Sequence, residues 1–338
     1  MADIIKDALN DLNKKHGGGT INYITKGDTR AELNILPTNC FSLNQVFGEG
    51  GLPRGRIIDI FGQESSGKST IAMYLVAQIQ KNGGKAAWID LEYCYLSKYG
   101  SKLGIDNSKL ILSQPQSGEV ALDTVETLVK TGGLDIIVID STANLVPQKE
   151  LDDNIEQASI ALQARLLSKG LRKITGISSQ SKTVIVFISQ LRVKIDSFGM
   201  GPKTESTGGK ALKFYSSVRL KVEKVKALKK ADVHIGNRLR ITGVKNKISF
   251  PNRVAEIDLY FEKGIDVIGD IFDVACGEGI VSRSGTTYSY AGEKISVGRD
   301  KCVEELEKNK ELYEKIRKQV FLIGKDKNEK DQKVKDKR

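Results

Sequence analysis

Two hydrophobic rhythms alternate through the middle of the chain. Unbroken apolar runs occur at residues 57–61, 86–89, 136–139 and 184–188, interrupted only by Asp59 and closed by glycine, acid or Gln190. Between them, apolar residues recur every three or four positions, as at Ile71, Leu75 and Ile79 with Ala72 and Val76, or at Leu162, Leu166 and Leu167. Continuous runs read as strands buried on both faces, and the longer period reads as amphipathic helices. A short strand at 109–112 and a helix at 119–130, stopped by Gly132-Gly133, continue the alternation. The predicted fold class is α/β, built from βαβ units around a largely parallel twisted sheet. Beyond residue 217 the period becomes two, at 218–222, 238–242 and 256–261. That pattern predicts antiparallel strands added to the sheet.

The two ends read differently. Ile4, Ile5, Ala8, Leu9 and Leu12 form a helical stripe ended by Gly17-Gly18-Gly19. So short a helix needs a surface to dock on, and its own core or a neighbouring subunit fits equally. Residues 264–324 read as a small α+β unit, with a helix near 266–275, a hairpin around Tyr288 to Ile295 and charged helices to Leu322. Residues 325–338 hold seven basic and four acidic side chains without an apolar face, so disorder is expected there. The expected domains are 1–30, 31–263, 264–324 and the basic tail 325–338.

Composition narrows the class. A hydrophobic content of 39% suits a soluble globular chain, and 338 residues suffice for one large or two ordinary domains. No apolar run reaches membrane-spanning length and the start lacks a signal-peptide apolar core, so the expected location is the cytoplasm with no membrane partner. Cys40, Cys94, Cys276 and Cys302 are scattered without a C-x-x-C pair, which predicts neither zinc nor a disulfide framework. With only His16 and His234 available, a histidine-based centre is not expected. The net charge of +11 favours a polyanionic partner or mere solubility about equally.

Candidate chemistry centres on Gly62-Gln63-Glu64-Ser65-Ser66-Gly67-Lys68-Ser69-Thr70, which follows an apolar strand and opens a helix. This matches G-x-x-x-x-G-K-[ST] in register. Gly62 and Gly67 let the backbone bend around an anion, and loop N–H groups with the helix N-terminus face phosphate oxygens. Lys68 adds charge for the outer phosphates, and the Ser69 hydroxyl is placed for Mg²⁺. Asp140 ends the strand at 136–139, where a second acid of a metal–nucleotide site belongs, and Glu92 lies just past the end of the strand at 86–90. A carboxylate there can orient a water and take its proton.

Two segments suggest nucleic acid. The acid-rich connection at about 150–160 leads into a helix whose second face carries Arg165, Lys169, Arg172 and Lys173. The segment from Leu191 to Lys210 holds Arg192, Lys194, Lys203, Lys210, Phe198 and four glycines. It reads as a structureless loop, either a plain flexible one or one that orders on a strand of nucleic acid. Lys245-Asn246-Lys247 fits a solvated turn or a phosphate contact.

Several stretches together resemble the bacterial or phage RecA recombinase family, from the N-terminal helix to about residue 322. They are Gly50-Gly51-Leu52-Pro53-Arg54-Gly55-Arg56-Ile57, the phosphate loop, Thr207-Gly208-Gly209-Lys210-Ala211-Leu212-Lys213-Phe214-Tyr215, Val244-Lys245-Asn246-Lys247 and Tyr288-Ser289-Tyr290. The resemblance implies a RecA-type core and a DNA-dependent ATPase that uses ATP and Mg²⁺. Such a protein forms a helical filament of itself on single-stranded DNA, pairs it with double-stranded DNA and exchanges strands. It also implies activation of self-cleavage in a LexA-like repressor of the SOS response. Carried over, Lys68, Glu92 and Gln190 are catalytic, with Gln190 sensing the γ-phosphate, and Ser69 and Asp140 hold the metal. Tyr99 stacks on the base, and Lys245 and Lys247 reach ATP on the neighbouring subunit. Arg165, Arg172, Arg192, Thr207, Gly208 and Gly209 fall at DNA-contacting positions in two loops, at about 150–160 and 191–208. Lys213 and Phe214 fall at the subunit interface.

The chain departs from that pattern in places. Leu96 stands where an acid near the adenine is usual, Tyr93 replaces a histidine, and Ser189 replaces the asparagine before Gln190. The second loop is one residue longer, which leaves the register of Phe198 open. The family tail is often acidic and restrains duplex binding, so a basic tail implies weaker restraint. Two alternatives stand beside the recombinase: a RecA-fold helicase or motor, and a DNA-binding filament protein with little ATPase.

Overall fold

The computed structural model describes residues 2–16, 34–48, 50–153, 160–194 and 203–335. The chain divides into two compact units, Met1–Asn34 and Ile35–Arg338. In the first, helix α1 (Ala2–His16) carries Lys14, Lys15 and His16 in its last turn, where positive charge suits the carbonyl end of a helix. Ile5 and Leu12 are exposed along it. Gly17 to Gly19 lie outside the described residues.

The second unit begins with strand β1 (Ile35–Leu36), helix α2 (Phe41–Phe47) and strand β2 (Leu52–Pro53). β3 (Ile57–Gly62), α3 (Lys68–Lys81), β4 (Ala86–Asp90), α4 (Ser97–Lys102), β5 (Leu110–Ser113), α5 (Gly118–Lys130) and β6 (Ile136–Asp140) follow. Next come α6 (Gln148–Asp152), α7 (Ile160–Ser181), β7 (Val184–Lys194), β8 (Lys203–Ser206) and α8 (Gly209–Tyr215). β9 (Val218–Lys230), β10 (Val233–Asn246), β11 (Val254–Tyr260) and β12 (Gly264–Ile265) complete the large sheet. The chain then runs through α9 (Val267–Gly277), β13 (Val281–Ser284), β14 (Thr287–Tyr290), β15 (Glu293–Val297), α10 (Arg299–Lys308) and α11 (Lys310–Lys335).

The large sheet has the order β12-β11-β10-β9-β3-β7-β6-β4-β5, with β8 paired to the far end of β7. Strands β9, β3, β7, β6, β4 and β5 run parallel, whereas β10, β11 and β12 join in antiparallel fashion. Side chains alternate between the sheet faces. Ile58, Ile60, Trp88, Val138 and Val186 pack with Ile71, Leu75 and Ile79 of α3 on one face. Ile57, Ile89, Ile137, Ile139 and Phe187 pack with Val125 of α5 and Leu171 of α7 on the other. Burial on both faces is why these strands read as unbroken apolar runs. Among the described residues no helix is long and apolar enough to cross a membrane.

The structure corrects the sequence expectation in four places. β9 pairs in parallel with β3, so the switch to antiparallel pairing comes one strand later than expected. β9 and β10 continue well beyond 222 and 238 as a two-stranded ribbon, whose outer part is exposed and so lacks an inside–outside alternation. The 191–208 segment is not structureless at its base, because Leu191–Lys194 pairs antiparallel with Lys203–Ser206. The tail from 325 prolongs α11 to Lys335, since lysine and glutamate are strong helix formers and no glycine or proline follows Gly324. The side chains of that extension lie outside the described residues.

A separate apolar cluster of Ile271, Phe272, Val281, Tyr288, Val303, Leu306, Ile316 and Val320 takes in Phe41 of α2. Where it meets α2, Asp270 of α9 accepts from the Ser42 backbone N–H at 3.1 Å and from Cys40 Sγ at 3.4 Å. Cys40 itself makes no side-chain cap on α2, so a distant carboxylate serves that helix start. Burial pushes the Asp270 carboxyl up, although the Ser42 and Cys40 hydrogen bonds pull it back. Its Oδ1 is buried without a partner. A carboxyl raised in the folded state holds its proton better there than in the unfolded chain. Its contribution to stability therefore falls as pH rises from the ordinary value of 3.8 through the raised one. Asp270→Asn is expected to raise stability at neutral pH by about 1 kcal/mol and to flatten the fall of stability between acid and neutral pH. Urea unfolding of both proteins across that range checks it.

Candidate functional site

β3 delivers the phosphate loop at the carboxyl edge of the sheet. Gly62 is buried, and a Cβ there would sit 2.3 Å from the Val222 carbonyl oxygen of β9, so only glycine fits. Gly67 adopts φ +92 and is the N-cap of α3, a left-handed conformation that a side chain would strain. The first turn of α3 then presents its N–H groups beside Lys68, Ser69 and Thr70. The Ser66 hydroxyl is buried in this loop without a hydrogen-bond partner. An orphaned donor amid free amides fits a phosphate oxygen.

The Lys68 ammonium donates to the Gln63 carbonyl at 2.7 Å. Burial pushes its pKa down, while Asp140, Glu92 and Glu64 oppose that. Asp140 is pushed up to about 6, first by burial and then by the neighbouring Glu92 and Asp90 carboxylates. A hydrogen bond from Ser69 and the Lys68 charge work the other way. Ser69 and Asp140 thus face each other, and together they would offer a hydroxyl and a carboxylate to a hard cation. Among the described residues no group of three or more His, Cys, Asp or Glu could hold a metal.

Glu92 follows β4 by two residues, and the loop carrying it is held by Asp90. That buried carboxylate accepts from the backbone N–H of Cys94 and Tyr95 and from Gln114 Nε2. Glu92 Oε1 receives Ser141 Oγ at 2.5 Å and Gln190 Nε2 at 3.1 Å. The side chains predicted to do chemistry therefore converge: Lys68, Ser69, Asp140, Glu92 and Gln190 come from β3–α3, β6, β4 and β7.

Beside the loop a cleft is lined by Ser65, Gly67, Thr70 and Tyr99, and opposite them by Asn237, Leu239, Leu259 and Phe261. The Tyr99 hydroxyl lies 3.4 Å from that of Thr70, which leaves the ring beside the loop. The opposite wall escaped sequence reasoning, because its residues read only as alternating strand positions. Leu96 is the N-cap of α4 and is 66% exposed, and Tyr93 is exposed with its hydroxyl on the Pro115 carbonyl.

Lys245 and Lys247 are not in this cleft. Gly62 pairs with Val222, and Ile58 with Val218, which pairs with Asn246. The two lysines therefore lie at the opposite end of β3, about four residues or 13 Å away along the sheet. Lys245 Nζ donates to the carbonyls of Lys213 at 2.5 Å and Phe214 at 3.1 Å, and Lys247 Nζ lies 5.9 Å from the Phe214 ring centre. Phe214 is 71% exposed. Burial, followed by Lys247 and Arg219, pushes the Lys245 pKa down, and Asp59 opposes that.

Arg165 and Arg172 are exposed on α7 with Lys169 between them, all on one face by helical spacing. Residues 154–159 of the first loop and 195–202 of the second, Phe198 among them, lie outside the described residues, as does the side chain of Arg192. Thr207 turns inward: its N–H donates to the Gln190 carbonyl at 2.9 Å, and its hydroxyl accepts from the Gln190 N–H at 3.1 Å. Gly208 is the N-cap of α8, and Gly209 has φ +59.

A strand–phosphate loop–helix unit in a doubly wound sheet, with acids at the ends of neighbouring strands, defines a P-loop nucleotide-binding protein. The model of the RecA N-terminal domain matches residues 3–266, and that of the RecA C-terminal domain matches 269–322. Protein RecA of Chlorobaculum tepidum is 45% identical over 313 residues, which span 93% of this chain and 90% of that one. The Syntrophus aciditrophicus protein of the same name is 44% identical over 93% of this chain and 91% of its own, and that of Heliobacterium modesticaldum 43% over 92% and 90%. The chain belongs to the RecA family of recombinases, which serve recombination and DNA repair.

Proposed function

We propose that this recombinase hydrolyses ATP with Mg²⁺ in response to single-stranded DNA, on which it polymerises, and that it pairs the bound strand with a homologous duplex. The observation that carries the reading is the contact of Gln190 with both Glu92, through its side chain, and Thr207, through its backbone. One residue thereby touches the candidate catalytic base and the return end of the second loop. The phosphate loop, Lys68 and Ser69 with Asp140 would hold the nucleotide and its cation. When bound, the cation would supply neutralisation of charge that develops on the phosphates. Glu92 orients a water in line and takes its proton, and Gln190 relays the state of the outer phosphate to the loop.

The position of Lys245, Lys247 and Phe214, far from the cleft of their own subunit, supports their serving the cleft of a neighbour. DNA held by its phosphates through Arg165, Arg172, Arg192 and the 207–209 turn keeps its bases free for pairing. Double-stranded DNA as second partner, a LexA-like repressor and a cytoplasmic setting accompany this reading.

The test is ATP hydrolysis with and without single-stranded DNA, alongside filament length by electron microscopy. Strong stimulation together with filaments is expected. Hydrolysis indifferent to DNA would leave an ordinary P-loop ATPase.

A further inference from the structure

β3 carries one charged residue inside an apolar strand, and the mechanism so far does not use it. Asp59 is fully buried. Its Oδ1 accepts from Ser189 Oγ at 2.8 Å, and its Oδ2 from Arg219 Nε at 2.7 Å. Burial pushes its carboxyl up, and Arg219 and Ser189 pull it back. Two branches leave this carboxylate. Through Arg219, whose NH2 group donates to Ser206 Oγ at 3.1 Å, one branch reaches the last residue of β8. The other runs through Ser189 to Thr142 Oγ1 at 3.1 Å, and from there to Thr207 Oγ1 at 2.8 Å. Adjacent residues at the return end of the second loop, Ser206 and Thr207, are thus tied to one carboxylate in the phosphate-loop strand.

The hydrogens in the second branch can point only one way. A carboxylate only accepts, and each hydroxyl has a single hydrogen to donate. Ser189 spends its hydrogen on Asp59, so it must accept from Thr142. Thr142 has then spent its own, so Thr207 donates to Thr142 and accepts from the Gln190 N–H. The result is a one-directional series, Gln190 N–H to Thr207 to Thr142 to Ser189 to Asp59, and hydrogen bonds in series reinforce one another. Gln163 Nε2 fixes the Thr142 end by donating to the carbonyls of Thr142 and Ala143, both at 3.1 Å.

We propose that Thr142 and Ser189 are positioning residues: their hydroxyls set the Gln190 backbone, and so its reach to Glu92, relative to the base of the second loop. The proposal rests on the DNA-stimulated ATPase reading given above.

The test uses the full chain with Thr142→Val, which keeps the side-chain shape and removes the hydroxyl, and with Thr142→Ser, which keeps the hydroxyl. Thr142→Val is expected to leave DNA-independent hydrolysis within about twofold and to lower DNA-stimulated hydrolysis about tenfold, a typical size for coupling between sites. Amide exchange at Gln190 and Thr207 is expected to quicken about tenfold in the same protein. Thr142→Ser should restore both, and Ser189→Ala should match Thr142→Val, with the double variant no worse than either single one. Wild-type stimulation and exchange in Thr142→Val would overturn the proposal, as would equal impairment in Thr142→Ser. Were the wild type itself unresponsive to DNA, the function reading would fail, and amide exchange alone would still judge the hydroxyl series. Matching thermal unfolding of all variants separates the effect from loss of fold.

Discussion

Glu92→Gln is expected to lower DNA-stimulated ATP hydrolysis by about 10²–10⁴-fold while sparing nucleotide-dependent binding of single-stranded DNA. The amide keeps an oxygen that can accept from Ser141 and Gln190, the two donors now on Glu92 Oε1. It cannot take a proton, so the substitution isolates charge and basicity from geometry. The loss corresponds to about 3–5 kcal/mol of barrier. Single-turnover hydrolysis beside a DNA-binding assay with a non-hydrolysable analogue makes the measurement. Hydrolysis within tenfold of wild type would place the activation of water elsewhere.

Lys245→Ala should be nearly as severe, at about 10²-fold or more, because it removes a charge that only an assembled filament would bring to the phosphates. Lys245 now sits on the Lys213 and Phe214 carbonyls beside Lys247 and the exposed Phe214, well away from the cleft of its own chain. A mixing experiment distinguishes a site shared between subunits from one within a subunit. Glu92→Gln keeps Lys245, and Lys245→Ala keeps Glu92. In a random head-to-tail assembly about one contact in four unites both intact residues, so the mixture should recover about a quarter of wild-type hydrolysis from two nearly inactive proteins. A site confined to one subunit recovers nothing.

The chemistry that was legible in the sequence is local. Gly62 through Thr70 is contiguous, and Asp140 and Glu92 lie at or just past the ends of apolar strands, where α/β sheets place their ligands. What escaped reading depends on groups far apart in the chain. Thr142, Ser189 and Thr207 are ordinary hydroxyl residues until the end of β6, the middle of β7 and the end of β8 bring them together. The ribbon of β9 and β10 turns at Ala231 and Asp232, with φ of +46 and +66, so no Asn-Gly or Asp-Gly pair announced it. Of β13 only Val281 is buried, which gives a strand with no periodicity to detect. The base of the second loop hid in a stretch whose glycines and charges resemble those of an unstructured segment. Asp59 interrupts an apolar run in the sequence, but its partners Ser189 and Arg219 lie 130 and 160 positions away and only the fold reveals them.

The arrangement around α2 bears on how such proteins can be recombined by design. Asp270 serves the start of a helix more than two hundred positions earlier in the chain, and Phe41 fills part of the cluster formed by α9, α10 and α11. A chimera joined between β12 and α9 would therefore import a foreign carboxylate and a foreign socket for Phe41. Cys40, Phe41 and Ser42 should be exchanged together with the C-terminal segment as one interchangeable part, although the linear sequence sets them far apart.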